Sequence, residues 1–115
     1  MSSGEFAAEK RQYTRFPVHF HSSFSSVNVV GGEGEGTLAD LSVRGCQVES
    51  RAVVKTGTAL QLKLYLPDET AHLATVAAVR WARGAAFGVE FVDMTDEHWK
   101  RLTRFIKALE APESV

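Results

Sequence analysis

Leu60-Gln-Leu-Lys-Leu-Tyr-Leu66 sets four leucines at every second position, with Gln61, Lys63 and Tyr65 between them. A helix would scatter those leucines around its axis, whereas a strand puts them on one face, so the segment reads as a half-buried β-strand. The neighbouring chain continues in the same texture. Pro67, Asp68 and Glu69 turn it, Ala71 to Trp81 returns, Arg83 and Gly84 turn again, and Ala86 to Val92 closes the series. Upstream, Val18, Phe20 and the stretch Phe24 to Val30 are rich in β-branched and aromatic residues, and Gly31 to Gly36 breaks the run as a hairpin turn. Thr37 to Leu41 and Cys46 to Glu49 form the next two strands, bent at Ser42 to Gly45. About six strands at turn spacings near ten residues predict an antiparallel barrel or sandwich.

The period changes at Thr95 to Leu109, where Trp99, Leu102, Phe105, Ile106 and Leu109 fall on one helical stripe. Thr95 suits the N-cap, Asp96 and Glu97 lie at the positive end of the helix dipole, and Lys100, Arg101, Arg104 and Lys107 lie toward its negative end. Those four cations are read as a solvated face. With 115 residues the chain makes one domain: a tail over Met1 to Glu9, a folded unit over residues 10–110 and a short tail over 111–115. The 13 basic and 14 acidic side chains leave a formal charge of −1, which argues against an indiscriminate binder of DNA, RNA or membrane surfaces. Cys46 has no partner cysteine, so neither a disulfide framework nor a four-cysteine zinc site is possible, and a reducing cytoplasm fits. No apolar run approaches the ~18 residues of a membrane span. Charges occupy the first fifteen residues where a signal peptide would be apolar, and the chain is expected to be cytoplasmic, without membrane insertion.

Several constellations are weak carriers of chemistry. Gly34, Gly36 and Ala39 match G-x-G-x-x-A, but strand residues follow where a dinucleotide site needs a helix, and Glu33 and Glu35 would repel pyrophosphate. His19 and His21 share a strand face without identifiable further ligands, so no metal site is assigned. Ser42 lacks a nucleophile elbow and a histidine placed beside it. Cys46 alternates with Val48 and is read as a small inward-pointing residue rather than a thiol nucleophile.

Two short segments act together. Lys10, Arg11 and Arg15 concentrate positive charge just before Pro17, which drives Phe16 out of helical geometry, so the segment enters the first strand as an extended basic arm. Arg11-Gln-Tyr-Thr-Arg15 reads R-x-x-x-R, and Asp40-Leu-Ser-Val-Arg-Gly45 reads D-x-S-x-x-G. This pair resembles the two signatures of the PilZ domain, a bacterial receptor module for the second messenger cyclic di-GMP. Val79-Arg-Trp81 is similar to the family's late-strand V-x-W, and Phe87-Gly-Val-Glu-Phe91 to its G-x-x-F strand, so the resemblance covers roughly Lys10 to Leu109.

The resemblance implies a six-stranded antiparallel PilZ-like β-barrel with one C-terminal α-helix, and a non-enzymatic role. It assigns Arg11 and Arg15 to the guanines and phosphates of cyclic di-GMP, because a guanidinium can fork onto a guanine edge or stack on the base while meeting phosphate. Lys10 adds a point charge suited to phosphate. Asp40 can accept from guanine N–H groups or hold an arginine in place, and Ser42 offers a hydroxyl. Gly45 is expected to permit a positive φ at the bend and close approach of ligand to backbone. Arg44 is a further candidate phosphate contact, while Trp81 lies either near the bound base or in the barrel interior. No cofactor is expected besides the ligand. Three arm cations match the charge of a stacked ligand pair better than that of one ligand, which favours two per chain. The implied mechanism is ordering of the arm on binding, with the signal passed to an unidentified protein effector. The rival readings are an adaptor on the same fold that does not bind the nucleotide, and a small barrel binding single-stranded nucleic acid.

Overall fold

A computed structural model of the chain describes residues 14–26, 33–67 and 71–110. The tail at residues 1–9, Lys10, Arg11, the end of the first predicted strand at 27–30, the turn residues Asp68 and Glu69 and the segment 111–115 lie outside these residues. Six strands, β1 (Phe16–Ser26), β2 (Glu33–Leu41), β3 (Gly45–Glu49), β4 (Ala59–Leu64), β5 (Leu73–Arg83) and β6 (Ala86–Asp93), are followed by helix α1 (Asp96–Glu110). They close into a barrel in the order β1-β2-β3-β6-β5-β4. Every neighbouring pair is antiparallel, β4 meeting β1 along Ser22 to Ser26 to close the circle.

The leucine alternation does in space what its period predicts. Leu60, Leu62, Leu64 and Leu66 are all buried, and Gln61, Lys63 and Tyr65 between them are exposed. They face Leu38, Val48, Val79 and Phe87 across the barrel interior, where Phe24 meets Phe87 edge-on with ring centroids 5.2 Å apart. Ladder pairing stops at Leu64, yet Tyr65 N–H still donates to the His21 carbonyl at 3.1 Å.

One predicted turn is a strand. Glu33 to Gly36 pair residue by residue with Ser25 to Ser22 and open β2. The glycines there answer to crowding: a Cβ on Gly34 would meet the Phe24 ring, and one on Gly36 would meet the Glu49 carbonyl oxygen and the Val48 side chain. Glycine inside a strand marks close approach as readily as a turn.

Helix α1 lies against the barrel through buried Leu102 and Ile106, with Phe105 edge-on to Phe20 at 5.9 Å. Trp99 and Leu109 sit at the margins of that stripe and remain exposed. Arg101 departs from the predicted solvated face: its guanidinium donates to the Ala71 and His72 carbonyls and fastens the helix beside the start of β5. Thr95 Oγ1 accepts from His98 N–H at 3.2 Å, the expected N-cap bond. Thr95→Ala is therefore expected to lower stability by ~1 kcal/mol in urea unfolding, and Thr95→Ser to restore most of the loss.

Candidate functional site

Three strand irregularities build one side of the barrel. On β2, Leu38 pairs with Val48 but Asp40 pairs with Gln47, so Ala39 is an extra residue. That bulge reverses the in-out alternation: Leu38 and Leu41, three apart, are both buried, and Asp40 is turned toward the start of β1. A second shift lies between Pro17 and Phe20 on β1, beside Asp40. On β5, Val79 pairs with Val89 but Trp81 pairs with Gly88, which makes Arg80 extra. Beyond that point Trp81 leaves the core and stands half-buried at the surface.

Between these irregularities lies an open cleft of about 650 Å³. Its walls come from Thr14 and Arg15 ahead of β1, the Ser42 to Gly45 bend, Arg80 and Trp81 on β5, and Gly88 to Glu90 on β6. Arg15 reaches back to Asp40, Nη1 to Oδ1 at 2.7 Å, joining two predicted site residues that are 25 positions apart. The bend is held by Ser42, whose Oγ accepts from the backbone N–H of Arg44 at 3.1 Å and of Gly45 at 3.2 Å. Ser42 N–H also donates to the Gly45 carbonyl at 2.9 Å. The hydroxyl is buried and closes the turn, as serine side chains do at such bends.

Gly45 does not take the positive φ expected of it at the bend. Among the described residues the glycines at positive φ are Gly57 and Gly84. At Gly45 a Cβ would overlap the Val89 carbonyl oxygen, so the missing side chain lets β3 lie against β6. Gly88 does the same for Trp81, whose indole fills the space a Cβ would need. Trp81 thus lies on the cleft wall rather than in the interior, with the Arg83 guanidinium 5.9 Å from its ring centroid.

Arg44 donates from Nη2 to Glu90 Oε2 at 2.8 Å, and Arg80 donates from Nε to Glu90 Oε1 at 2.8 Å. The two guanidiniums hold the Glu90 carboxyl below the usual carboxylate range. Arg80 and Glu90 were not among the residues singled out from the sequence, where they fill the unspecified positions of V-x-W and G-x-x-F. Only the register that sets Glu90 opposite Gly45 and Ala78 brings them to the bend.

Apart from Ser42, the weaker constellations are not among the residues that line the cleft. Cys46 is buried, and burial pushes its thiol well up, which denies it a reactive thiolate. His21 stacks on Tyr65 at 5.0 Å and stands 3.8 Å from Glu35, while His19 is exposed on β1. Among the described residues no group of three or more His, Cys, Asp or Glu side chains could hold a metal ion. No helix among them is long and apolar enough to cross a membrane.

The sequence matches the family described as the PilZ domain over residues 9–108. Comparison with curated proteins gives no match. Among solved structures, the PilZ domain of CeSA from a cellulose-synthesizing bacterium aligns with a TM-score of 0.68 at 18% identity, over 85% of this chain and 99% of that one. The Bacillus subtilis inhibitor of motility MotI/DgrA aligns at 0.71 with 18% identity, over 90% of this chain and 53% of its own. Escherichia coli YcgR in complex with c-di-GMP aligns at 0.67 with 15% identity, over 88% of this chain and 46% of its own. The chain therefore spans about half the length of the last two, and at these identities the likeness is one of fold.

Proposed function

Because this chain belongs to the PilZ domain family, we propose that it is a non-enzymatic receptor for cyclic di-GMP, binding it in the cleft beside Arg15 and handing the signal to a protein partner. The observation that carries the reading is the 2.7 Å ion pair between Arg15 and Asp40, which ties the arginine motif to the D-x-S-x-x-G motif at the cleft wall. A guanidinium braced by one carboxylate keeps N–H groups to offer a guanine edge or a phosphate. Arg11 and Lys10, upstream on the same arm, supply the further cations that the phosphates call for. Trp81, half-buried in the cleft wall, offers a face on which a base can stack. Ser42 and Gly45 act by shaping the bend. YcgR, of the same fold, forms a complex with c-di-GMP, which supports the choice of ligand.

With Arg15 already paired to Asp40, ligand phosphates draw the upstream cations Lys10 and Arg11, which lie outside the described residues, onto the cleft. Neutralising the like charges of Lys10 and Arg11 with phosphate offsets the ~1 to 2 kcal/mol per residue that backbone ordering costs. The closed arm then presents a new surface to the partner. Calorimetric titration with cyclic di-GMP, run beside GTP and single-stranded RNA, tests the reading. Binding of cyclic di-GMP alone, at two ligands per chain, is the expected result. Absence of binding leaves the protein-interaction adaptor, RNA binding favours the nucleic-acid barrel, and one ligand per chain refutes the stacked pair.

A further inference from the structure

Among the described residues the cleft is lined by three arginines, Arg15, Arg44 and Arg80, and by one carboxylate, Glu90. Glu90 gives each of its oxygens to a different guanidinium. Oε2 accepts from Arg44 Nη2 at 2.8 Å, and Oε1 accepts from Arg80 Nε and lies 2.8 Å from Arg80 Nη2. The three side chains come from three separate places: the bend after β2, the β5 bulge and β6. All three remain partly exposed toward the cleft. A carboxylate whose two oxygens each meet a guanidinium offers the pattern that two non-bridging oxygens of a phosphodiester would offer.

We propose that Glu90 is a built-in counter-anion that occupies Arg44 and Arg80 in the free protein and yields them to a ligand phosphate, so that it sets the affinity threshold of the site. The proposal rests on the cyclic di-GMP reading and adds to it a residue that weakens binding. A phosphate that reaches the Arg44 and Arg80 guanidiniums must come near the Glu90 carboxylate, and like charges at such range repel. The depressed titration of Glu90 keeps it charged across the neutral range, so this repulsion is not relieved by protonation there. Had Glu90 been a brace that holds the arginines in the binding geometry, its removal would have the opposite sign.

The deciding experiment titrates cyclic di-GMP into the unaltered chain, Glu90→Gln and Glu35→Gln at several salt concentrations. Glu35 is an exposed carboxylate outside the cleft and serves as the charge-matched control. Glu90→Gln is expected to bind roughly 3- to 10-fold tighter, the scale of two partly exposed ion pairs. Its affinity is also expected to fall more steeply with salt, because arginines relieved of Glu90 carry screening anions that the ligand must release. Glu35→Gln should match the unaltered chain. Equal or weaker binding by Glu90→Gln, while the unaltered chain binds, overturns the counter-anion role alone. No binding by the unaltered chain overturns the receptor reading and this role with it. A second measurement needs no variant: the Arg80 Nε–Hε resonance should shift when cyclic di-GMP saturates the unaltered chain, and a fixed resonance overturns the exchange of partners.

Discussion

Arg15→Ala is expected to weaken cyclic di-GMP binding by roughly 5- to 150-fold, about 1 to 3 kcal/mol, the worth of one bidentate contact to a guanine edge. The loss follows from position. Arg15 is the arm arginine seen docked against Asp40, and it lies on the wall of the cleft. Arg15→Lys keeps the charge but not the fork and should recover only a small part of the affinity. The proper control is Arg104→Ala on the exposed face of α1, since Arg101 bonds the Ala71 and His72 carbonyls and its removal would loosen the helix. Arg104→Ala should leave binding unchanged. Calorimetry on the three variants measures this directly, and equal losses for Arg15→Ala and Arg104→Ala would sink the site assignment.

Gly45→Val is expected to lower folding stability by about 3 kcal/mol or more, with or without ligand. The reason is a strand contact and not a ligand contact. The Val89 carbonyl oxygen fills the place where the new Cβ would stand, and it belongs to backbone that cannot swing aside as a side chain would. β3 would have to part from β6 along Gly45 to Glu49, one of the six seams that close the barrel. Gly57→Ala makes a useful comparison, since Gly57 stands at φ 91° with nothing in the path of a Cβ. That variant incurs backbone strain alone, ~1 kcal/mol. Urea unfolding of both proteins separates the two causes, and a Gly45→Val protein as stable as Gly57→Ala would show that β3 and β6 yield freely.

The parts of the fold legible in the sequence were those governed by strict periods. The leucine alternation of β4, the cap and stripe of α1 and the bend at Ser42 to Gly45 all lie where local pattern puts them. What local pattern misses is parity. Alternation alone sets Leu38 and Leu41 on opposite faces; the extra Ala39 puts both inside and swings Asp40 toward Arg15. The extra Arg80 similarly turns Trp81 from a barrel residue into a wall of the cleft. Glu33 to Gly36 misled for a related reason, because Gly34 and Gly36 serve packing against Phe24, Val48 and Glu49 rather than a reversal of the chain. Within the site, Arg15, Asp40 and the bend were readable as motifs. Glu90 was not, since its partners Arg44 and Arg80 stand 46 and 10 positions away and only strand register unites them.

Amide hydrogen exchange with and without cyclic di-GMP tests most directly whether the ligand sits in this cleft and orders the arm. Exchange should slow at Arg11 to Phe16 and across Asp40 to Gly45 when the ligand is added. The Leu60 to Leu66 strand, buried on its leucine face away from the cleft, should be unchanged. Slowing that spares Asp40 to Gly45 and appears elsewhere on the barrel would contradict the site.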